Sequence, residues 1–114
     1  MPLIYKILPL TEWENAQALG RFAGSAVDRA DGYIHLSTAA QAQETARRHF
    51  RGQTGLVVLT VQSEALGPDL RWERSRGGDL FPHFYGALDC ALVTEIRPAT
   101  LTRDGIPDLA GLTA

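Results

Sequence analysis

The strongest hydrophobic pattern in the chain is the uninterrupted apolar run from Leu56 to Val61, which predicts a central strand buried on both faces. Weakly alternating strand formers from Leu3 to Leu8 predict a first strand that stops at Pro9. Three more strands are expected after the central one, at residues 70–73, 80–85 and 91–96. The pattern therefore predicts a core made mainly of strands.

Two main helices are expected, both in the first half of the chain. Thr11 and Glu14 have capping-box spacing, which predicts a helix that runs to about Leu19 and ends at Gly20. Residues 20–32 carry glycine, serine and charged residues without periodicity, so a loop is expected there.

A short strand is expected at residues 33–37. Ile34 and Leu36 should face the core, which leaves His35 and Ser37 together on the opposite, polar face. The second helix follows this strand and ends at Gly52, with a cap from the hydroxyl of either Ser37 or Thr38. Its small apolar face predicts close packing on a sheet and consists of Ala39, Ala42, Ala46 and Phe50.

Strands outnumber helices and do not alternate with them regularly, which favours a mixed α+β fold over a parallel α/β fold. A chain of 114 residues has the usual size of one domain. We expect a single domain over residues 1–114, with a core at about 3–101. Residues 102–114 are expected to form an irregular tail, because glycine, proline and aspartate are frequent there.

Charge and cysteine content narrow the classes of partner. The formal net charge of -2 gives no general attraction to nucleic acids or anionic membranes, so a nucleic-acid partner is not expected. Basic residues cluster at 47–51, where they fit the end of the second helix. The single Cys90 cannot form an internal disulfide, and no cysteines and histidines have metal-ligand spacing. We therefore expect a cytoplasmic protein without a metal, and without a membrane partner because no apolar run approaches about 18 residues.

His35 is the first candidate for chemistry, because an imidazole on the polar face of a strand can bind a ligand hydroxyl or transfer a proton near neutral pH. A structural histidine bonded to a backbone carbonyl is the alternative. Ser37 and Thr38 follow at a strand-to-helix junction, where free backbone N–H groups favour an anion. Helix capping alone also explains both hydroxyls.

The segment Phe81-Pro82-His83-Phe84-Tyr85-Gly86 is the second candidate. In an extended conformation Phe81, His83 and Tyr85 share one face, which suits the stacking of a flat ring. The alternative is that these aromatic side chains close the core at a sheet edge.

Glu73, Trp72 and Lys6 complete the predicted site. Trp72 is an apolar neighbour expected to raise the pKa of Glu73 and make it a base or a hydroxyl acceptor, with an exposed strand glutamate as the alternative. Lys6 lies on the first strand and either contacts a phosphate or extends into water. The glycine-rich stretch 74–79 is expected to act as a mobile lid.

Four segments of the chain are informative through their order and spacing: Ile4-Tyr5-Lys6-Ile7, Gly32-Tyr33-Ile34-His35-Leu36-Ser37, Leu70-Arg71-Trp72-Glu73 and Phe81-Pro82-His83-Phe84-Tyr85-Gly86. At these intervals they resemble the bacterial domain-of-unknown-function family nine-five-two, over residues 3–101. That family in turn resembles the ADP-ribosyltransferase-like fold, in particular the tRNA 2′-phosphotransferases. Those proteins also have a His-Leu-Ser strand end before an alanine- and arginine-containing helix and an apolar strand.

The resemblance implies a split pair of small sheets whose cleft holds NAD. By matching position, His35 and Ser37 correspond to the family's second motif, and Glu73 to its later acidic position. Lys6 stands where many relatives have a histidine followed by glycine and threonine, a pair that this chain lacks.

In this scheme the aromatic face of residues 81–85 borders the nicotinamide, His35 binds a ribose hydroxyl, and Glu73 stabilises an oxocarbenium-like transition state. The hypothesis is an NAD- or nucleotide-handling domain that transfers ADP-ribose or processes a 2′-phosphate, with His35, Glu73 and His83 as catalytic residues. Its expected ligand-binding residues are Lys6, Ser37, Thr38, Trp72, Phe81 and Tyr85. Two alternatives stay open: a nucleotide or ADP-ribose binding module without turnover, and a protein-interaction domain.

Overall fold

The computed structural model describes residues 2–113, apart from the side chain of Arg76. Within these residues the chain has an α+β fold, with nine strands and three α-helices. The strands are β1 (Leu3–Pro9), β2 (Arg21–Phe22), β3 (Ile34–His35), β4 (Ser37–Thr38), β5 (Leu56–Gln62), β6 (Leu70–Ser75), β7 (Asp79–Phe84), β8 (Leu88–Asp89) and β9 (Val93–Ala99). The α-helices are α1 (Leu10–Leu19), α2 (Ala26–Asp31) and α3 (Ala39–His49). Short 3₁₀ turns lie at Ser63–Asp69, Arg76–Gly78 and Cys90–Leu92.

β5 lies between β1 and β9 in an antiparallel four-stranded sheet of order β4-β1-β5-β9. All of its residues except Gln62 are buried, which confirms the predicted central strand. Leu59 belongs to one apolar cluster together with Ile4, whereas Val58 belongs to a second cluster together with Ala46 of α3. The sheet therefore has apolar packing on both faces, and the small side chains of α3 pack on it as expected.

A second, three-stranded sheet of order β3-β7-β6 begins where the first one ends. The strand predicted at 33–37 is broken in two: β4 pairs with β1, whereas β3 pairs with β7, where His35 lies opposite His83. Leu36 sits at the break and donates its N–H to the carbonyl oxygen of Pro82 at 3.1 Å. The two sheets therefore share one chain segment and separate beyond it.

The first helix begins differently from the prediction. α1 starts at Leu10 directly after Pro9, so Thr11 is its second residue and not its cap. The Leu10 N–H donates to the carbonyl oxygen of Gly55 at 2.8 Å, so this backbone donor is satisfied outside the helix without a side-chain cap. The predicted end at Gly20 is confirmed, with a left-handed φ of 84°.

The loop predicted at 20–32 is wrong, because β2 and α2 lie within it. α2 has only 6 residues, too few to show helical periodicity in the sequence. Its start is instead marked by a capping box in which the Ser25 side chain and the Asp28 carboxylate each accept a backbone N–H. This error is important because Asp28 turns out to be central to the candidate site.

Smaller differences concern element ends. α3 ends at His49, before the predicted Gly52, and its N-cap is Thr38. The last predicted strand begins at Val93, and the two-residue β8 was not anticipated. In the predicted tail, residues 102–113 contain no helix or strand beyond one isolated bridge to Pro107, yet Leu109 packs in the second apolar cluster. Residues 1 and 114 of the predicted domain lie outside the described residues.

Candidate functional site

A cleft of about 630 Å³ lies where the two sheets separate. Strands β1, β3, β4 and β7 and all three α-helices contribute side chains to it. Its volume is in the range of small-molecule sites. Five of the predicted site residues line it: Lys6, His35, Ser37, Phe81 and His83. The sequence therefore predicted a substantial part of one real concavity.

Lys6 is buried at the inner end of the cleft, with 5% of its surface exposed. It shares one face of β1 with Ile4 and Leu8, which both pack in the first apolar cluster. Of the two alternatives given for Lys6, extension into water is therefore wrong. Its ammonium group lies 2.8 Å from the Asp28 carboxylate, and burial lowers the pKa of Lys6 even though Asp28 opposes this shift.

Asp28, which is only 1% exposed, makes four contacts at this end of the cleft. Besides the Lys6 ammonium, it accepts hydrogen bonds from the backbone N–H groups of Ser25 and His35 at 2.9 and 3.1 Å. His35 Nδ1 lies 2.6 Å from Asp28 Oδ1. Burial acts to raise the pKa of Asp28, but the His35 hydrogen bond and the Lys6 charge outweigh it and hold that pKa well below its usual value.

His35 also contacts a second carboxylate, because its Nε2 lies 2.9 Å from Asp31 Oδ2. Carboxylates only accept hydrogen bonds, so both ring contacts are hydrogen bonds when the imidazole carries a proton on each nitrogen. The His35 side chain is one-third exposed, and Asp31 is about half exposed at the end of α2. His35 is thus fixed between a buried carboxylate and an accessible one.

Glu73 lies behind His83 and does not line the described part of the cleft. Its Oε1 lies 2.8 Å from His83 Nδ1 and accepts a hydrogen bond from the Tyr85 hydroxyl at 2.7 Å. These two hydrogen bonds lower the pKa of Glu73, so the predicted rise caused by Trp72 is wrong. Glu73 orients His83, which is itself 4% exposed and faces the cleft.

Tyr33 links the two histidines through ring contacts. Its ring stacks on His83 with centroids 4.1 Å apart, and it lies 4.6 Å from the ring of His35. The ring of Tyr85 is 5.2 Å away on a further side. Burial raises the pKa of Tyr33, and the negative charge of nearby Asp31 adds a smaller rise. Two histidines and two tyrosines therefore form one aromatic cluster at the side of the cleft.

The remaining predicted residues divide between cleft and scaffold. Ser37 is buried in the cleft wall, with its hydroxyl 3.1 Å from that of Thr45. Thr38 forms a capping box with Gln41, so the capping alternative accounts for its hydroxyl. Phe81 is buried at the cleft, whereas Trp72 is partly exposed and lies outside the described lining.

A family model described as "Protein of unknown function (DUF952)" matches residues 7–96 of the chain. This chain belongs to the DUF952 family. The family assignment made from the four sequence segments is therefore confirmed. No protein with a curated description matches the chain significantly.

Solved structures support the fold of this DUF952 chain. An X-ray structure of protein CC0527 from Caulobacter crescentus is 58% identical in sequence, with a TM-score of 0.92 over 94% of both chains. The solution NMR structure of CC0527 has a TM-score of 0.87, over 96% of this chain and 94% of that one. A double mutant of CC0527, 56% identical to this chain, also has a TM-score of 0.92. These similarities concern the architecture of the chain.

Sequence reasoning missed three polar groups of this DUF952 site: Asp28, Asp31 and Glu12. Asp28 and Asp31 were assigned to a loop, although Ser25 followed three residues later by an acidic side chain is a capping-box pattern. Glu12 lines the cleft and accepts a hydrogen bond from the Ser25 hydroxyl at 2.7 Å. Among the described residues, no group of three or more histidine, cysteine or acidic side chains is arranged to hold a metal ion. None of the described helices is long and apolar enough to cross a membrane.

Proposed function

We propose that the cleft binds a nucleotide, with NAD as the first candidate, and that the protein transfers ADP-ribose or processes a 2′-phosphate in the manner of an ADP-ribosyltransferase-like fold. The observation that carries this proposal is a pair of histidines in one cleft. His35 and His83 lie opposite each other on neighbouring strands, and each has a carboxylate at Nδ1. Such a contact fixes the ring and leaves Nε2 for the ligand or for a second partner.

The cleft offers flat and apolar surfaces for a heterocycle. Phe81 and Tyr33 present aromatic carbon at one side, and Val27 of α2, which is 59% exposed, also lines the cleft. Bound nicotinamide between these side chains would cover an apolar residue that is now open to solvent. A ribose hydroxyl at His35 would replace Asp31 as the partner of Nε2, and Ser37 offers a hydroxyl in the cleft wall.

The chemistry proposed for the cleft is cleavage of the bond between nicotinamide and ribose. Nicotinamide leaves with the bonding electron pair, and an acceptor oxygen forms the new bond to the ribose carbon. His83, held by Glu73 at Nδ1, takes the proton of that acceptor through Nε2. Asp31 lines the cleft, is about half exposed and lies beside His35, so we assign to it the stabilisation of the oxocarbenium-like transition state that the sequence had suggested for Glu73. This assignment makes Glu73 a positioning residue.

A binding module without turnover is the second candidate, and one observation favours it. Both ring nitrogens of His35 already face carboxylates, so this ring is better suited to hold a fixed geometry than to exchange a proton. In that case the cleft would retain a nucleotide or an ADP-ribosylated partner, in a reducing cytoplasm as the single cysteine suggests.

Release of nicotinamide from NAD tests the proposal, with water and small alcohols as acceptors. We expect release by the wild-type protein and a loss of roughly a hundredfold in His83→Ala, because a general base contributes that much or more. Glu14→Gln, an exposed change on α1, is the matched control and should keep full activity. NAD binding without release would favour the binding module, and absence of both binding and release would contradict the nucleotide proposal.

A further inference from the structure

Acidic side chains outnumber basic ones in one part of the cleft, a feature that nucleotide binding in general does not require. Three carboxylates, those of Glu12, Asp28 and Asp31, surround the two basic groups Lys6 and His35. Asp28 neutralises Lys6, and Asp31 faces His35. Even with His35 fully protonated, this group of five side chains carries one excess negative charge.

Glu12 is the carboxylate that provides this excess. Its hydrogen-bond donor is the neutral hydroxyl of Ser25, so its negative charge is not cancelled by that contact. It is half-buried, lines the cleft, and lies close enough to Lys6 to act on the ammonium through charge. A ligand in the cleft therefore meets a partly desolvated carboxylate, whose attraction for a positive group is stronger than it would be in water.

The ends of two helices near the cleft do not change this balance. His49 and Phe50 line the cleft at the C-terminal end of α3, where the partial charge of the helix is negative, but the last turn also carries the basic residues Arg47, Arg48 and His49. At the start of α2, the capping box places the charged carboxylate of Asp28 against the Ser25 N–H. The negative charge offered to a ligand therefore comes from the side chains of Glu12 and Asp31.

We infer that the cleft selects a flat, delocalised organic cation, so that it takes a positively charged N-glycosyl pyridinium and discriminates against its reduced, neutral form. This inference rests on the proposed nucleotide function, of which it specifies the ring. Tyr33, which stacks on His83 with one face, and Phe81 both line the cleft, and the face of an aromatic ring attracts a cation. A neutral ring gains the stacking alone, whereas a pyridinium ring also gains the attraction to Glu12 and Asp31.

Calorimetric titration with oxidised nicotinamide riboside and with reduced dihydronicotinamide riboside tests the inference, because the two probes differ in ring charge and carry no phosphate. We expect the oxidised form to bind about tenfold more tightly, the ratio given by roughly 1.4 kcal/mol of charge-dependent attraction. Glu12→Gln should reduce this preference several-fold, since its amide oxygen still accepts from Ser25 while the charge is lost. Glu14→Gln removes the same charge from an exposed position of the same helix and should leave the preference unchanged.

Equal affinity for the two ribosides would overturn the inference, and release of nicotinamide from NAD by the same preparation would show that the proposed function survives it. A preference that persists unchanged in Glu12→Gln would also overturn it, because the carboxylate would then have no part in selection. Binding of neither riboside overturns it as well, with NAD cleavage again deciding whether the proposed function falls too.

Discussion

The two histidine–carboxylate pairs of the cleft make the same contact and are built in different ways. Asp28 reaches His35 from the first turn of a short helix, is 1% exposed and shares its charge with Lys6. Glu73 reaches His83 from the neighbouring strand, has a side chain that is 37% exposed and shares its oxygen with a neutral tyrosine hydroxyl. The buried carboxylate of Asp28 therefore joins the site to the stability of the fold, whereas the partly exposed carboxylate of Glu73 can be altered with the fold intact.

The largest expected effect is that of Asp28→Asn. This change leaves the ammonium of Lys6 buried without its counter-charge, and breaking a buried ion pair costs about 3–5 kcal/mol. Urea unfolding of the variant measures the loss. Adding Lys6→Met removes the unpaired ammonium and should restore part of the stability. A loss of stability no greater than that of the exposed change Asp104→Asn would show that the ion pair between Lys6 and Asp28 does not stabilise the fold.

Gly24→Ala is expected to have the second-largest effect, because it displaces the buried carboxylate without changing any charge. A Cβ at Gly24 would lie 2.9 Å from the Cβ of Asp28, at a φ of +112° that side chains rarely adopt. We expect a loss of about 2–3 kcal/mol from backbone strain and displacement together. Gly20→Ala is the control, since its φ is also positive but no atom lies within 4 Å, and it should cost about 1 kcal/mol. Equal losses would indicate that backbone strain alone acts at Gly24.

The third prediction concerns the pH dependence of stability, to which Asp28 should contribute at acid pH. The pKa of Asp28 is held below its usual value, so its contribution to stability is complete above the unfolded value of about 3.9 and is lost as the pH falls below it toward the folded value. Between about pH 5 and about pH 2, the wild-type protein should therefore lose roughly 2 kcal/mol more of its unfolding free energy than Asp28→Asn. Parallel curves for the two proteins would contradict the low pKa.

The smallest effect on stability is expected for Glu73→Gln, because the carboxylate is partly exposed and one of its two partners is the neutral hydroxyl of Tyr85. Its effect should appear in the pKa of Tyr85 and in the position of the proton on the His83 ring. The Glu73 hydrogen bond is the main cause of the raised pKa of Tyr85, so loss of the charge should lower that pKa toward the usual tyrosine value. Ultraviolet titration of the tyrosines measures this shift, and nitrogen NMR of His83 reports whether Nδ1 keeps its proton. Unchanged spectra would remove Glu73 from the site.

The contrast between the two pairs also explains what the sequence could predict. Residues 81–85 alternate in an extended segment, so the shared face of His83 and Tyr85 follows from the period of a strand alone. The buried central strand and the apolar face of α3 were predicted for the same reason. Asp28 was missed because α2 is shorter than two helical turns and leaves no periodic signal.

Other contacts depend on long-range pairing that no local pattern contains. For Lys6 the sequence left open a contact with water, yet residues of α2 and β2 lie against that face of β1: the ammonium is 2.8 Å from Asp28 and 5.9 Å from the centroid of the Phe22 ring. The partnership of Glu73 with His83 depends on the register of β6 against β7, in which Glu73 lies opposite Phe81. Sequence alone therefore indicated two strands of the site and Glu73, but neither the contact of Glu73 with His83 nor the carboxylates of Asp28 and Asp31 that fix His35.

Calorimetric titration of the protein with NAD, ADP-ribose and nicotinamide, repeated with His35→Ala and His83→Ala, tests the central claim most directly. We expect the wild-type protein to bind NAD and both variants to lose this binding while remaining folded. Binding that persists in both variants would place the nucleotide outside this cleft. Absence of binding to all three ligands by the wild-type protein would contradict the claim that the two histidines form a nucleotide site.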